Sequence, residues 1–273
     1  MAKNILQIFI KSFLILITIN SVSIAQECGK NYSALVFNPE NGDVLFEKRA
    51  DTIIYPASLT KMMTIYLVFE SIKERRIDLK DELSASNHAA SISKVNKANT
   101  LNLEVGDKIS VEKAIKGSII KSFNELTVML AEAISEDEWQ FARDMNLKAK
   151  ELGMSNTNFR NASGLHNQGQ FTTNDDLAKL VLAIRKNFPE YYHYFSLKEF
   201  TYKNKKYPTH NNVLLKYKGA DGIKTGFTNA AGFNLIASAK RDGKRIISVV
   251  TGCESVQKRD NFTKQLLDKA FLY

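Results

Sequence analysis

Apolar and polar positions change their spacing twice along this chain. Residues 32–37 (Tyr-Ser-Ala-Leu-Val-Phe) and 44–47 (Val-Leu-Phe-Glu) are short, apolar and β-prone, and the stretch between them, Asn-Pro-Glu-Asn-Gly-Asp, consists of turn formers. The pattern predicts a hairpin. From residue 59 the apolar positions fall at helical spacing, over residues 59–74, 111–120, 125–133, 137–152 and 175–188, with Gly153, Gly164 and Pro189 as breaks. Strand-like runs return at residues 222–224, 233–240 and 244–250, with Asp242-Gly243 as a turn signal between the last two, and residues 256–271 read as a closing helix. Strands at both ends and helices between them predict an α+β fold, with one antiparallel sheet built from both chain ends and a helical region inserted. No internal repeat or low-complexity linker interrupts it, so residues 26–273 are expected to form one domain.

The first 25 residues stand apart. Lys3 and Lys11 flank or precede a nearly unbroken apolar run, residues 13–19, and Ser23-Ile24-Ala25 offers small residues at the positions a signal peptidase reads. The run is short for a membrane span. It is expected to be a secretory signal peptide, with an uncleaved anchor as the alternative. Gln26 and Glu27 before Cys28 do not make a lipoprotein pattern. Together with the Ser-x-x-Lys motif at Ser58–Lys61, such a leader points to the bacterial periplasm or outer cell surface as the expected compartment. Without residues 1–25 the chain keeps 36 basic against 29 acidic residues, a net charge of +7. Such a surface suits an anionic polymer or a membrane surface as partner, or simply solubility. No basic-aromatic interleaving or glycine-rich phosphate loop points to nucleic acid or nucleotide. His88, His166, His193 and His210 lack metal-ligand spacing and are read as structural, and neither a metal nor an organic cofactor is expected.

Three short motifs carry chemistry, in this order: Ser58-Leu59-Thr60-Lys61, Ser122-Phe123-Asn124 and Lys224-Thr225-Gly226. Serine three residues before lysine is common here, recurring at Ser91/Lys94, Ser110/Lys113, Ser118/Lys121 and Ser255/Lys258. Ser58 differs because Pro56 precedes it and an apolar run, residues 62–69, follows. That context puts Ser58 near a helix start, where free N–H groups favour developing negative charge, and Lys61 about one turn on along the same face. A serine hydroxyl needs a base to become a good nucleophile. A lysine serves as one only if burial or a neighbouring cation depresses its pKa, and Lys224 is a candidate for that cation.

The stretches PASLTKMMT, IIKSFNELTVMLAEAIS and GADGIKTGFTNAAGFNLIAS resemble the low-molecular-weight penicillin-binding proteins, the serine D-alanyl-D-alanine carboxypeptidases. The resemblance runs from about Tyr32 to Phe271 and implies the serine β-lactamase/DD-peptidase fold. It implies Ser58 as nucleophile, Lys61 as base, Ser122 as proton relay and Asn124 as holder of substrate and base. It further implies Lys224, Thr225 and Arg259 on the substrate carboxylate, and the backbone N–H groups of Ser58 and Phe227 as the oxyanion hole. Gly226 would let backbone come close to substrate. Phe123 stands where relatives often have glycine and is expected to crowd the cleft. Asn212 fits an asparagine-rich strand entry, from which His210 departs. The C-terminal β-rich domain and amphipathic membrane anchor of several relatives are not expected.

The activity so implied is removal of the terminal D-alanine from peptidoglycan stem pentapeptides through an acyl-Ser58 intermediate, with β-lactam antibiotics as covalent inhibitors. A DD-endopeptidase cutting cross-links stays open. So does a β-lactamase, although residues 161–166 offer no glutamate to activate water. A non-catalytic peptidoglycan-binding protein would not need the nucleophile. Cys28 and Cys253 are either two thiols or one disulfide. In the fold that the resemblance implies, the first and last strands pair and bring them together, and an oxidising compartment permits the bond.

Overall fold

The structure is a computed structural model that describes residues 28–95 and 100–273. The expected leader, residues 1–25, lies outside the described residues. The chain enters with β1 (Ser33–Phe37) and β2 (Val44–Lys48). A short 3₁₀ turn, Ala57–Thr60, runs directly into α1 (Lys61–Lys73). Next come β3 (Glu82–Ser84), α2 (Asn87–Val95), β4 (Lys108–Ser110), α3 (Val111–Ile120), α4 (Asn124–Glu132), α5 (Glu138–Glu151) and α6 (Asn174–Asn187). After a 3₁₀ segment at Pro189–Ser196, β5 (Glu199–Tyr202), β6 (Lys205–Pro208) and α7 (Asn212–Lys216) lead to three long strands and a final helix. These are β7 (Ala220–Thr228), β8 (Gly232–Arg241), β9 (Lys244–Cys253) and α8 (Val256–Ala270).

The main sheet has the order β2-β1-β9-β8-β7, antiparallel throughout. Its central strands bury both faces. Leu35 and Phe37 of β1, Ile236 of β8 and Ile247 and Val249 of β9 join the core under the inserted helices. Ala34, Val36, Leu235, Ala237, Ile246 and Val250 face the other way, against Phe262, Leu266 and Leu267 of α8. The period of two along each strand thus divides two cores. The register Leu35↔Val249 joins strands more than two hundred residues apart in sequence. Beside it, Cys28 and Cys253 form a disulfide with Cα atoms 4.8 Å apart.

The helix starts obey local chemistry. Ser110, Asp137, Thr173 and Ser255 each accept a hydrogen bond from the backbone N–H three residues on. α6 adds Asp175 and Asp176 in its first turn and Arg185 and Lys186 in its last, as the helix dipole favours.

Several elements depart from the sequence pattern. β3 and β4 have three residues each, too few for a periodic signal, and exist because they pair with each other. The β5–β6 hairpin turns at Lys203-Asn204, both at positive φ (45° and 61°), without the Asn-Gly that marks such turns. Asn212 opens the short helix α7 instead of entering a strand, because the Asn211 side chain caps it by accepting from Leu214 N.

Candidate active site

The cleft lies where β7, at the sheet edge, meets the 3₁₀ turn before α1 and the loop between α3 and α4. It has a volume of about 290 Å³, and its lining includes Ser58, Ser122, His210, Thr225, Phe227 and Arg259. Backbone strain marks two of its corners. Ala57, just before Ser58, has φ 49°, and Ser122 itself has φ 64°. Non-glycine residues rarely adopt this region, and it persists only where the surroundings over-determine it.

Lys61 is buried at the head of α1. Its Nζ lies 3.3 Å from Ser58 Oγ and 2.7 Å from Asn124 Oδ1, and it also donates to the carbonyl oxygen of Ser163. The last two partners can only accept. A neutral amine has two N–H bonds for those acceptors, and its lone pair then falls toward Ser58. Burial, and next the Lys224 charge, hold the Lys61 pKa well below the usual lysine value, while Glu125 and Glu138 pull it back up. Lys224 on β7 is also buried, and its Nζ donates to Ser122 Oγ at 3.1 Å and to Thr225 O at 3.0 Å. Burial, followed by the charge of Arg259, brings its pKa down to about 7.

The Ser-x-x-Lys spacing has quite different outcomes elsewhere. Ser110 and Ser255 cap helices by accepting from the backbone N–H of Lys113 and Lys258. Ser91 Oγ donates to the carbonyl oxygen of His88. Among these serines and Ser58, the hydroxyl facing a buried lysine amine is that of Ser58.

Arg259 lines the cleft, but its guanidinium is already held by Asp260 Oδ1, at 2.9 and 2.6 Å, and by the carbonyl oxygen of Asn234 at 3.3 Å. Its contribution in this state is a fixed positive field. Gly226 packs against the serine turn: a Cβ there would lie 3.1 Å from Pro56 O and 3.2 Å from Ser58 N. The close backbone approach is therefore to the turn that carries Ser58, and it sets Phe227, the next residue, beside that turn.

One expectation is corrected and one residue is given a place at the site. Phe123 does not crowd the cleft; it is buried against Phe200 and Tyr207, edge-on at 6.1 and 5.3 Å. The left-handed backbone at Ser122 turns the serine and the following ring in different directions. His210, read from the sequence as structural, is placed on the cleft lining. Its ring is exposed on one side, and desolvation against the cleft wall first, then Lys121, Lys224 and Arg259, hold its pKa down to about 4, so it is uncharged at neutral pH.

The motifs also omit residues that hold the site together. Asn234 of β8 is fully buried, with its Nδ2 3.2 Å from both Tyr55 O and Pro56 O, and it accepts from Gly252 N at 2.9 Å. It pins the segment before Ser58 to the sheet. Its signal was an amide inside the otherwise apolar run Phe233-Asn234-Leu235-Ile236. Glu125 is buried behind Asn124 and accepts from Thr100 Oγ1 and Leu101 N, with burial raising its pKa. The Asn161–Gly164 loop supplies the Ser163 carbonyl to Lys61. Among the described residues no group of three or more His, Cys, Asp or Glu side chains is arranged to hold a metal ion, and no helix is long and apolar enough to cross a membrane.

An antiparallel sheet helical on both faces, with a serine–lysine cleft along its edge strand, is the penicillin-binding DD-peptidase fold. The structure of penicillin-binding protein 5 from Haemophilus influenzae superposes with a TM-score of 0.84 at 34% identity, covering 88% of this chain and 70% of that one. Penicillin-binding protein D2 from Listeria monocytogenes, solved in its ampicillin-bound form, gives 0.78 at 31% identity, covering 88% and 96%. The family model for D-alanyl-D-alanine carboxypeptidases matches residues 21–255, and the chain belongs to that family. It is 36% identical to D-alanyl-D-alanine carboxypeptidase DacF of Bacillus subtilis over 250 residues, 88% of this chain. It is 37% identical to D-alanyl-D-alanine carboxypeptidase DacC of Escherichia coli over 236 residues, 85% of this chain. The matches span 61% and 59% of those two curated relatives.

Proposed function

We propose that this protein is a serine-type DD-carboxypeptidase that acts outside the cytoplasm, in the periplasm, on peptidoglycan stem pentapeptides. Ser58 Oγ attacks the carbonyl carbon of the penultimate D-alanine, and its proton passes to Lys61 Nζ. The C–N bond to the terminal D-alanine breaks as Ser122 gives its proton to the leaving amine and is reprotonated with the proton Lys61 took up, which returns both groups to their starting state. Water then releases the acyl group from Ser58. The observation that carries this reading is the coordination of Lys61. Two acceptor-only oxygens, Asn124 Oδ1 and Ser163 O, occupy two of its directions, and Ser58 Oγ occupies a third. That arrangement orients a neutral amine as a base toward the hydroxyl.

Lys224, with the fixed charge of Arg259 behind it, supplies the positive site for the substrate carboxylate, and Thr225 lies beside it on the cleft wall. The backbone N–H groups of Ser58 and Phe227 are the oxyanion donors in this reading, each contributing about 3 kcal/mol to the transition state. A β-lactam carries a strained carbonyl and a carboxylate in comparable positions and is expected to acylate Ser58; the Listeria relative has been solved with ampicillin bound.

The test is digestion of purified muropeptides with mass analysis of the products. Loss of one alanine from pentapeptides, absent in Ser58→Ala, is the expected result. Conversion of cross-linked dimers to monomers, with pentapeptides left intact, would make the protein an endopeptidase instead.

A further inference from the structure

The loop that gives Lys61 its second acceptor is held by a carboxylate outside the three motifs. The peptide groups flanking Ala162 are fixed from two sides. The Ala162 N–H donates to Glu138 Oε1 at 2.9 Å, and the Ala162 carbonyl accepts from Thr64 Oγ1 of α1 at 2.6 Å. The next carbonyl, that of Ser163, accepts from Lys61. Glu138 opens α5 directly after its cap, Asp137. Its other oxygen, Oε2, lies 2.6 Å from His88 Nε2 of α2, and its side chain is only 13% exposed. One carboxylate therefore joins α2, α5 and the loop whose carbonyl aims the lysine.

We propose that Glu138 is a positioning residue for acylation: by holding the Ala162 peptide, it keeps the Ser163 carbonyl on Lys61 and so keeps the lysine amine aimed at Ser58. The proposal rests on the reading of Lys61 as base. Charge gives Glu138 a second influence. The groups acting on Lys61 are Lys224 from β7, which lowers its proton affinity, and Glu125 from α4 and Glu138 from α5, which raise it. Glu138 itself is faced by His88 from α2. The Lys224 pKa is set by burial and Arg259, so the charge of Glu138 bears on the base and not on the second lysine.

The two influences separate in two variants. Glu138→Gln keeps an oxygen to accept the Ala162 N–H but removes the charge. Glu138→Ala removes both. Acylation of the purified chain by a fluorescent penicillin is followed by stopped flow across pH, with the exposed neighbour variant Glu136→Gln as control. In Glu138→Ala the acylation rate constant should fall about tenfold or more, because small misplacements of a reacting group are costly, while the noncovalent Kd stays within about twofold. In Glu138→Gln the plateau should stay within about threefold of wild type. Its acid limb should move to lower pH, since Lys61 without a nearby anion stays neutral further down. Glu136→Gln should shift nothing.

If Glu138→Ala does not fold, the acid limb of Glu138→Gln decides alone. Wild-type rates and an unmoved limb in the Glu138 variants would overturn this proposal while leaving the site reading intact. Equal loss in Glu138→Gln and Glu138→Ala with no shift of the limb would also overturn it, leaving Glu138 as a prop for the fold. A wild-type chain that is not acylated at Ser58 would refute the reading of the site and this proposal with it.

Discussion

Lys224 Nζ and Ser122 Oγ meet at 3.1 Å, both residues buried, where Ser122 lines the cleft. The contact puts two buried lysines into one site, and burial disfavours the charged form of each. Repulsion between two such ammonium groups disfavours charging both at once, so the pair favours holding a single charge. The site then holds one neutral amine and one cation, which is the division of labour that a base and a carboxylate anchor need.

A bell-shaped pH profile of kcat/KM on a D-alanyl-D-alanine peptide follows. As pH falls, Lys61 gains a proton and the base is lost, giving the acid limb. As pH rises through the Lys224 value of about 7, the cation is lost, giving the alkaline limb. Lys224→Arg keeps its charge at every working pH. Its alkaline limb should therefore move to higher pH, even with a lower maximum. An alkaline limb that stays in place in this variant would assign it to another group.

Lys61→Arg should lose acylation by fluorescent penicillin by about 10²- to 10⁴-fold, the usual range for removal of a general base. Guanidinium remains protonated and has no lone pair to offer Ser58. Lys224→Arg should retain more activity than Lys61→Arg at neutral pH. Equal rates for Lys61→Arg and wild type would exclude Lys61 as the base.

Gly164 tests how tightly the loop abuts the nucleophile turn. It has φ 84°, and a Cβ there would lie 1.9 Å from the carbonyl oxygen of Ala57, which is backbone and unable to swing aside. Gly153 has a comparable φ of 72° and nothing within 4 Å. Gly153→Ala should cost only the left-handed penalty, about 1–2 kcal/mol, and keep penicillin labelling. Gly164→Ala should lower Tm further and abolish labelling. Similar Tm and labelling in the two variants would show that the loop and the turn do not pack as described.

The Cys28–Cys253 disulfide closes a loop with a sequence separation of 225 residues and ties the N-terminal segment to the end of β9. The chain-entropy model puts such a closure at up to about 5 kcal/mol. Replacing both cysteines by serine should lower Tm and the denaturant midpoint. The acylation rate at 25 °C should stay within about twofold, because neither residue lines the cleft. Peptide mapping without reductant checks the bond itself, and two fully alkylated cysteines in exported protein would rule it out.

The order of elements was legible because strands and helices answer to local rules. The nearly continuous apolar runs in 32–37 and 244–250 suit strands buried on both faces, and Ser110, Asp137 and Ser255 start their helices by capping the N–H three residues on. The motif residues Ser58, Lys61, Ser122, Asn124 and Lys224 were legible as residue types in a recurring order. Their meeting was not. Lys61 reaches Asn124 across 63 residues and Ser163 across 102, and Lys224 reaches Ser122 across 102. Only the packing of α1 against α4, the 161–164 loop and β7 makes those contacts.

The same holds for what the motifs do not contain. Asn234 pins the serine turn, His210 lies uncharged at the cleft, Phe123 turns away from it, and Glu138 holds the loop behind Lys61. A buried amide, ring or carboxylate, or an imidazole at a cleft edge, looks the same in sequence whether it props a core or aims a lysine. Burial and the charges gathered around each group decide between those roles. Sequence determined which residues could do the chemistry, because nucleophile, base and anchor are properties of side-chain type. Tertiary structure decided which of them meet, because a lysine can serve as a base only where the fold removes water from it and sets another cation close by.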